Sequence, residues 1–182
     1  MPKGDQGVEA SAGRYAVIPR VLVFCFSRGD VLLLKGAPDK RIWANRYNGV
    51  GGHVEAGEDV YAAARRETYE ETGLQVDALC FEGLINIDVG SETGIMLAVF
   101  SARSAQRQTR ASREGTLEWV PLERLGDYDL VEDIPALLER IVRRGEGDGP
   151  FFARYWYDAA QALRIDFASD RSSAAGSSIL EK

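Results

Sequence analysis

Glu67, Glu70 and Glu71 stand at i, i+3 and i+4 in the chain, and at about 100° per residue that spacing sets three carboxyl groups on one flank of a helix. Carried backwards, the same flank holds Val60, Ala63 and Ala64, so the acids continue an apolar stripe instead of facing water. Like charges so placed repel by roughly 0.2–0.5 kcal/mol per pair, and an unpaired buried carboxylate costs far more. Such a flank needs a cation. Hard divalent ions favour carboxylate oxygens, and Mg²⁺ in particular leaves coordination positions free for water and phosphate oxygens. The implied chemistry is that of a metal ion, Mg²⁺ or its substitute Mn²⁺, held on one helix and presented to a phosphate-bearing ligand.

The helix that must carry these acids is predicted from about Asp59 to Thr72. Ala62, Ala63 and Ala64 are strong helix formers, Gly57 precedes the start and Gly73 supplies a left-handed stop. A glycine cluster, Gly49, Gly51 and Gly52, leads into it. Backbone without side chains can come close to a bound group and turn amides and carbonyls toward it. His53, the only histidine, follows directly. It is either a donor to a phosphate oxygen or a strand residue with a satisfied ring.

Taken together, Gly52, Glu58, Arg66, Glu67, Glu70, Glu71, Gly73 and Leu74 resemble the signature of the Nudix hydrolase superfamily, from which only Thr68 departs, at a position where the family usually packs an aliphatic side chain. Seven fixed letters, each used at about one residue in fifteen, coincide by chance in roughly one chain per million of this length, so accident does not explain the pattern. The resemblance implies an α/β Nudix fold, an α/β/α sandwich with a mixed β-sheet, and hydrolysis of a nucleoside diphosphate linked to another group. It also implies that Glu67 and Glu71 are the primary metal ligands and that the Gly51 carbonyl joins them. Glu70 is then shared between metal binding and activation of water. Glu114, immediately before a predicted strand, is the expected further metal-binding or base carboxylate, with Glu118 its competitor. Arg66 points away from the metal flank on the helical wheel, and Glu58 in the preceding loop is its expected partner, tying loop to helix.

The remainder of the chain bounds the setting. With 182 residues and 45% hydrophobic content, one domain with a proper core is expected. A formal charge of -6 argues against a general nucleic-acid surface, which needs clustered Lys and Arg. An acidic protein that handles an acidic substrate needs metal ions between them. The longest apolar runs, around Val21 to Phe26 and Val31 to Leu34, fall short of a membrane span, and no secretory signal opens the chain. A cytoplasmic protein without a membrane or nucleic-acid partner is expected. Cys25 and Cys80 read as small core residues. Composition divides the chain into a tail at 1–13, a domain at 14–168 and a second tail at 169–182.

Within the domain, strands are predicted at Val17–Phe26 and Val31–Lys35 around an Arg28-Gly29-Asp30 turn, then at Val76–Val89, Ile95–Ala102 and Thr116–Val120. Gly36 to Val50 reads as loop. A second helix is expected at Asp133–Arg143, and a closing hairpin at Phe151–Tyr157 and Ala162–Phe167. Arg103, Arg107, Arg110 and Arg113 mark a basic loop, either a solvated surface or a cover over a triphosphate.

Substrate choice lies outside the acidic motif. The Pro that ADP-ribose hydrolases of the family commonly carry after it is missing, since no Pro occurs between Pro38 and Pro121. From Val17 to Phe167 the chain is more similar to the MutT-type sanitisers of oxidised purine nucleoside triphosphates, among them the human-type 8-oxo-dGTP hydrolases. That likeness rests on Tyr47-Asn48-Gly49-Val50-Gly51-Gly52, on Glu132-Asp133 and on the aromatic closing hairpin. It implies a small nucleotide substrate whose purine edge is gripped by Asn48, Glu132 and Asp133, with Gly52 and His53 beside the phosphates. An amide offers donors and an acceptor, and a carboxylate separates a donor-bearing purine edge from an acceptor-only one. Asp133 has a structural alternative, N-cap of the second helix with Pro135 in the first turn. Trp119, Tyr128 and Trp156 are candidate stacking surfaces or core residues. The expected reaction is Mg²⁺-dependent cleavage of a purine nucleoside triphosphate to monophosphate and pyrophosphate. The alternatives are another nucleoside diphosphate-linked substrate, such as ADP-ribose, a nucleotide sugar or a dinucleotide, and a non-catalytic nucleotide-binding module.

Overall fold

Strand β1, Ala16–Ser27, sets the layering of the molecule. Its central residues are apolar without interruption, the pattern of a strand covered on both faces. Val21, Val23 and Cys25 enter one core with Ala63, Ala64, Leu74 and Phe100, while Leu22 and Phe24 enter another with Ile134, Leu137 and Leu138. Helix α1, Val60–Thr72, therefore lies on one side of the sheet and helix α2, Ile134–Arg143, on the other. This is the expected α/β/α sandwich. The structure, a computed structural model, describes residues 13–112, 114–145 and 147–168. The tails expected at 1–13 (save Gly13) and 169–182, and Arg113, lie outside the described residues.

The sheet is mixed. Strand β2, Asp30–Gly36, returns antiparallel to β1 through the Arg28-Gly29 turn, with Ser27 opposite Asp30. On its other side β1 runs parallel to β5, Thr93–Arg103, from Ala16 opposite Thr93 to Phe26 opposite Arg103. β5 pairs antiparallel with β4, Leu79–Asp88. β4 pairs parallel with β7, Phe151–Tyr157, which closes antiparallel on β8, Leu163–Phe167. β6, Gly115–Pro121, runs antiparallel to β2. The stretch expected to be loop up to Val50 contains a two-residue strand, β3, Tyr47–Asn48, on the β2 edge.

Helix α1 starts and stops where the sequence signals it. The Asp59 carboxylate accepts from the Tyr61 and Ala62 amides at 2.8 and 2.9 Å, a cap of about 1 kcal/mol. Gly73 ends the helix at φ 76° and donates to the Tyr69 carbonyl. The buried face differs from the expected stripe, for it consists of Ala63, Ala64, Thr68 and Thr72, while Val60 is exposed. Small side chains let the helix sit close to β1. Thr68 is fully buried, and its hydroxyl donates to the Ala64 carbonyl at 2.7 Å, so the polar atom at an aliphatic position is satisfied within the helix.

One smaller expectation is corrected, and one open choice is narrowed. Cys25 is buried in the core, but Cys80 is exposed on β4, its sulfur 3.7 Å from the Arg144 guanidinium. Of the two readings of the basic loop before β6, the surface one is favoured by its described arginines, none of which lines a ligand cleft. Arg107 pairs with Asp30 at 2.6 Å and lies over the Trp119 ring, and Arg110 donates to the Glu70 carbonyl and lies over Tyr69. These arginines fasten the loop to the β1–β2 turn and to α1. Among the described residues no helix is long and apolar enough to cross a membrane.

Candidate active site

A cleft of about 490 Å³ crosses the middle of β1 and the ends of β2 and β7, with Glu67, Glu71 and Glu114 among the residues at one end and Asn48, Glu132 and Asp133 at the other. The strip that joins the two ends is hung on β1. Val50 and Val23 exchange both backbone hydrogen bonds, at 2.7 and 3.1 Å, and Val21 donates to the Gly52 carbonyl at 2.9 Å. Strand alternation then turns Gly51 the other way. Its amide donates to Glu71 Oε2 at 3.2 Å, and its carbonyl leaves the same edge. The missing Cβ at Gly52 leaves the room that the Glu67 carboxylate occupies, since a Cβ there would lie 2.4 Å from Glu67 Oε1.

At the acidic end Arg66 is the organising cation. It donates to Glu58 through Nε at 3.2 Å and Nη2 at 2.6 Å, to the His53 carbonyl at 3.0 Å, to Glu67 at 2.9 Å and to Glu70 at 3.2 Å. The predicted Glu58 partnership is present. The expectation that Arg66 turns away from the acids is corrected, because a long guanidinium reaches over the wheel position of its Cα. Arg66 and the Glu55 amide hold the Glu58 carboxyl below the usual range. Glu70 is corrected as well. One turn beyond Arg66, it is drawn outward, its side chain 57% exposed against 15% for Glu67, and it does not line the cleft.

Glu71 is the anomalous acid. Burial first, then the neighbouring Glu67 and Glu114 carboxylates, push it up to about 7 against the pull of the Gly51 amide and Lys40. Glu114 faces the same end and is paired with Lys40. Its competitor Glu118 is turned to the Tyr47 and Tyr128 hydroxyls at 2.7 and 3.0 Å. Among the described residues no three His, Cys, Asp or Glu side chains are already poised around one point that could hold a metal ion, and Arg66 and Lys40 between them engage four of the acids. The donor set nevertheless fits a hard dication. It offers only oxygens, from Glu67, Glu71, Glu114 and the Gly51 carbonyl, and Glu71 is held where it lacks a cation of its own.

The other end is assembled from distant segments. Asn48 lies on β3, with Oδ1 accepting from the Gly49 amide at 2.8 Å, so its amino group is the part left to meet a ligand. Tyr47 accepts from the Val131 amide and donates to the Asp129 carbonyl, at 2.9 and 2.8 Å, which lays the 129–131 segment alongside β3. Asp133 then falls inside the cleft, 9% exposed. Its capping role is overturned: its backbone is already helical, and its side chain makes no cap hydrogen bond. Burial, with Glu132 adding to it, raises Asp133 from the ordinary 3.8 to about 6. His53 lines the cleft with an exposed ring, and its backbone bridges to Arg20.

The stacking candidates are also revised. Trp119, Tyr128 and Trp156 do not line the cleft, whereas Trp43, Tyr155 and Tyr157 do. Period-two alternation in β7 could have found the two tyrosines, since Phe151, Tyr155 and Tyr157 share the parity opposite to Trp156. Lys40, Arg46 and Trp43 carried no signal, because the loop holding them has no periodicity.

Comparison with known proteins agrees with this geometry. The model of the NUDIX domain family matches residues 17–143. The chain is similar to a protein of Mus musculus named oxidized purine nucleoside triphosphate hydrolase, at 34% identity over 113 residues, 59% of this chain and 72% of the relative. A Danio rerio protein of the same name is 35% identical over 105 residues, 57% of this chain and 66% of the relative. In fold the chain is similar to the MutT protein of Bacillus halodurans, with a TM-score of 0.70 at 20% identity, covering 83% of this chain and 97% of the other.

Proposed function

The chain belongs to the NUDIX domain family, and from that premise we propose that this Nudix hydrolase is a Mg²⁺-dependent enzyme that converts purine nucleoside triphosphates, oxidised ones included, to the monophosphate and pyrophosphate. One observation carries the reading: a single cleft holds oxygen ligands for a dication at one end and Asn48, Glu132 and Asp133 at the other. The names of the mouse and zebrafish relatives support the same substrate class.

Glu67, Glu71 and the Gly51 carbonyl would hold the ion, with Glu114 as a further carboxylate on the same wall. When bound, the ion neutralises phosphate oxygens and stabilises the charge that develops as the anhydride opens. Arg66 keeps Glu67 and the Glu58 loop in register, so the helix meets the ligand already organised. Glu70, drawn outward by Arg66, would have to turn inward to share in activating the water. At the far end the Asn48 amino group donates to the purine. Ionised Asp133 accepts from an N–H, and oxidation at C8 of guanine converts an acceptor nitrogen into such a donor.

The test is a panel of 8-oxo-dGTP, dGTP, ADP-ribose and a nucleotide sugar, assayed with and without Mg²⁺, with the released phosphate product identified. The expected outcome is pyrophosphate release from purine triphosphates, fastest from 8-oxo-dGTP and dependent on the metal. Cleavage of 8-oxo-dGTP no better than of dGTP, and far worse than of ADP-ribose, sinks the reading.

A further inference from the structure

Arg46 stands two residues before Asn48 and belongs to neither the acidic motif nor the cleft's two recognition segments. Its guanidinium nevertheless touches three residues that lead into and open the second one. Nη1 donates to Glu132 Oε1 at 2.6 Å, Nη2 donates to the Leu130 carbonyl, and Nε lies 3.3 Å from Asp129 Oδ1. The side chain is 27% exposed and lines the cleft. We propose that Arg46 is the positioning residue of base recognition: it clasps the 129–133 segment to the strand that carries Asn48 and holds the Glu132 carboxylate, so that Asp133 is the acid left to meet the ligand. The proposal rests on the purine reading of the cleft.

Three features support it. The backbone of the 129–131 segment is held to β3 by hydrogen bonds at Tyr47 alone, and none of these fixes a side chain of the acid pair. Arg46 does. A planar fork that meets a carboxylate and a carbonyl together sets both distance and orientation, which a lysine ammonium does not. The two acids are also made unequal. Burial pushes Glu132 up, but the Arg46 guanidinium and a hydrogen bond from the residue's own backbone together outweigh it and leave Glu132 below the usual range, while Asp133 rises. The charged and titratable groups around Asp133 are Glu132, Arg46 and the phenols of Tyr155 and Tyr157 from β7. Arg46 is the one cation among them.

The experiment compares Arg46→Gln, Arg46→Lys, Glu132→Gln and the Arg46→Gln/Glu132→Gln double variant with the wild type on the best purine triphosphate of the panel. Absence of purine triphosphate cleavage by the wild type overturns the functional reading and this proposal with it; the variants address the proposal alone. Arg46→Gln is expected to raise KM about tenfold with kcat little changed, a loss of uniform binding. It is also expected to move upward the acid-pair inflection of kcat/KM against pH, identified as the inflection missing in Asp133→Asn. Arg46→Lys keeps the charge, so it restores the inflection and only part of KM. If Arg46 acts through Glu132, the double variant loses no more than the worse single variant. An unmoved inflection with unchanged KM, or additive losses in the double variant, overturns the proposal. Should Arg46→Gln fail to fold, the same reading is taken from Arg46→Lys, whose KM must rise while its inflection stays.

Discussion

The two ends of the cleft are built by opposite routes. The acidic end is local, since Glu58, Arg66, Glu67, Glu70 and Glu71 sit within one loop and the helix it enters, and the Arg66 guanidinium serves three of the four acids. The recognition end is a long-range assembly that joins Asn48 to Glu132 and Asp133 through Arg46, with Tyr155 and Tyr157 arriving from a third segment. The first end inherits its geometry from helical pitch and is rigid as soon as α1 is formed. The second depends on the packing of the sheet and α2, and one side-chain clasp stabilises it. Damage at the first should therefore appear in turnover, and damage at the second in affinity and selectivity.

The largest expected effect is at the acidic end. Glu71→Gln should lower kcat by about 1000-fold, with KM for the purine triphosphate nearly unchanged. Calorimetry supplies a second readout: Mg²⁺ should raise the Tm of the wild type at pH 7 and leave that of Glu71→Gln where it was. Equal loss in kcat and affinity would erase the distinction between the ends. Next comes Arg66→Ala, which frees Glu58 and Glu67 together. A drop of about 10–100-fold in kcat is expected, the range of removed support behind a metal ligand, and Arg66→Lys should recover little of it because it cannot span both carboxylates.

Asp133→Asn tests the other end through pH. The native carboxyl holds its proton up to about 6 against an ordinary 3.8. The stability it contributes is thus fully present below pH 4 and is lost as pH rises through 6. The variant does not titrate, so it should match the wild type near pH 4 and exceed it by about 1–3 kcal/mol at pH 8, read from urea unfolding at the two values. It should also lose preference for 8-oxo-dGTP over dGTP while keeping kcat. A stability difference independent of pH would show that burial does not perturb this acid. The smallest effect is Thr68→Val: the change removes a hydroxyl bonded within its own helix, and stability should stay within about 1 kcal/mol with turnover unchanged.

The same contrast explains what could be read beforehand. Helical spacing located Glu67 and Glu71, and the cap at Asp59 and stop at Gly73 followed from local chemistry. Glu70 was misplaced because the wheel treats side chains as spokes, and a flexible arginine one turn earlier pulls its carboxylate outward. Asp133 looked like a cap because Pro135 follows it. Its true setting comes from a strand-like segment pairing with Tyr47, more than eighty positions away, which no local pattern encodes. The sheet's layers were legible from the unbroken apolar run of β1, whereas the two-residue β3 is shorter than any periodicity can reveal.

Asn48 and Gly52 are four residues apart on a nearly straight strip that β1 grips at Val21 and Val23. At about 3.3 Å per residue the strip measures roughly 13 Å, and neither end can slide without breaking those rungs. It acts as a gauge block cut to one length. If Asn48 and Gly52 meet ring and phosphate as proposed, a molecule whose ring and anhydride are separated by that distance would seat at both stops, and one with a longer tether would engage a single stop and drift out before the bond is broken.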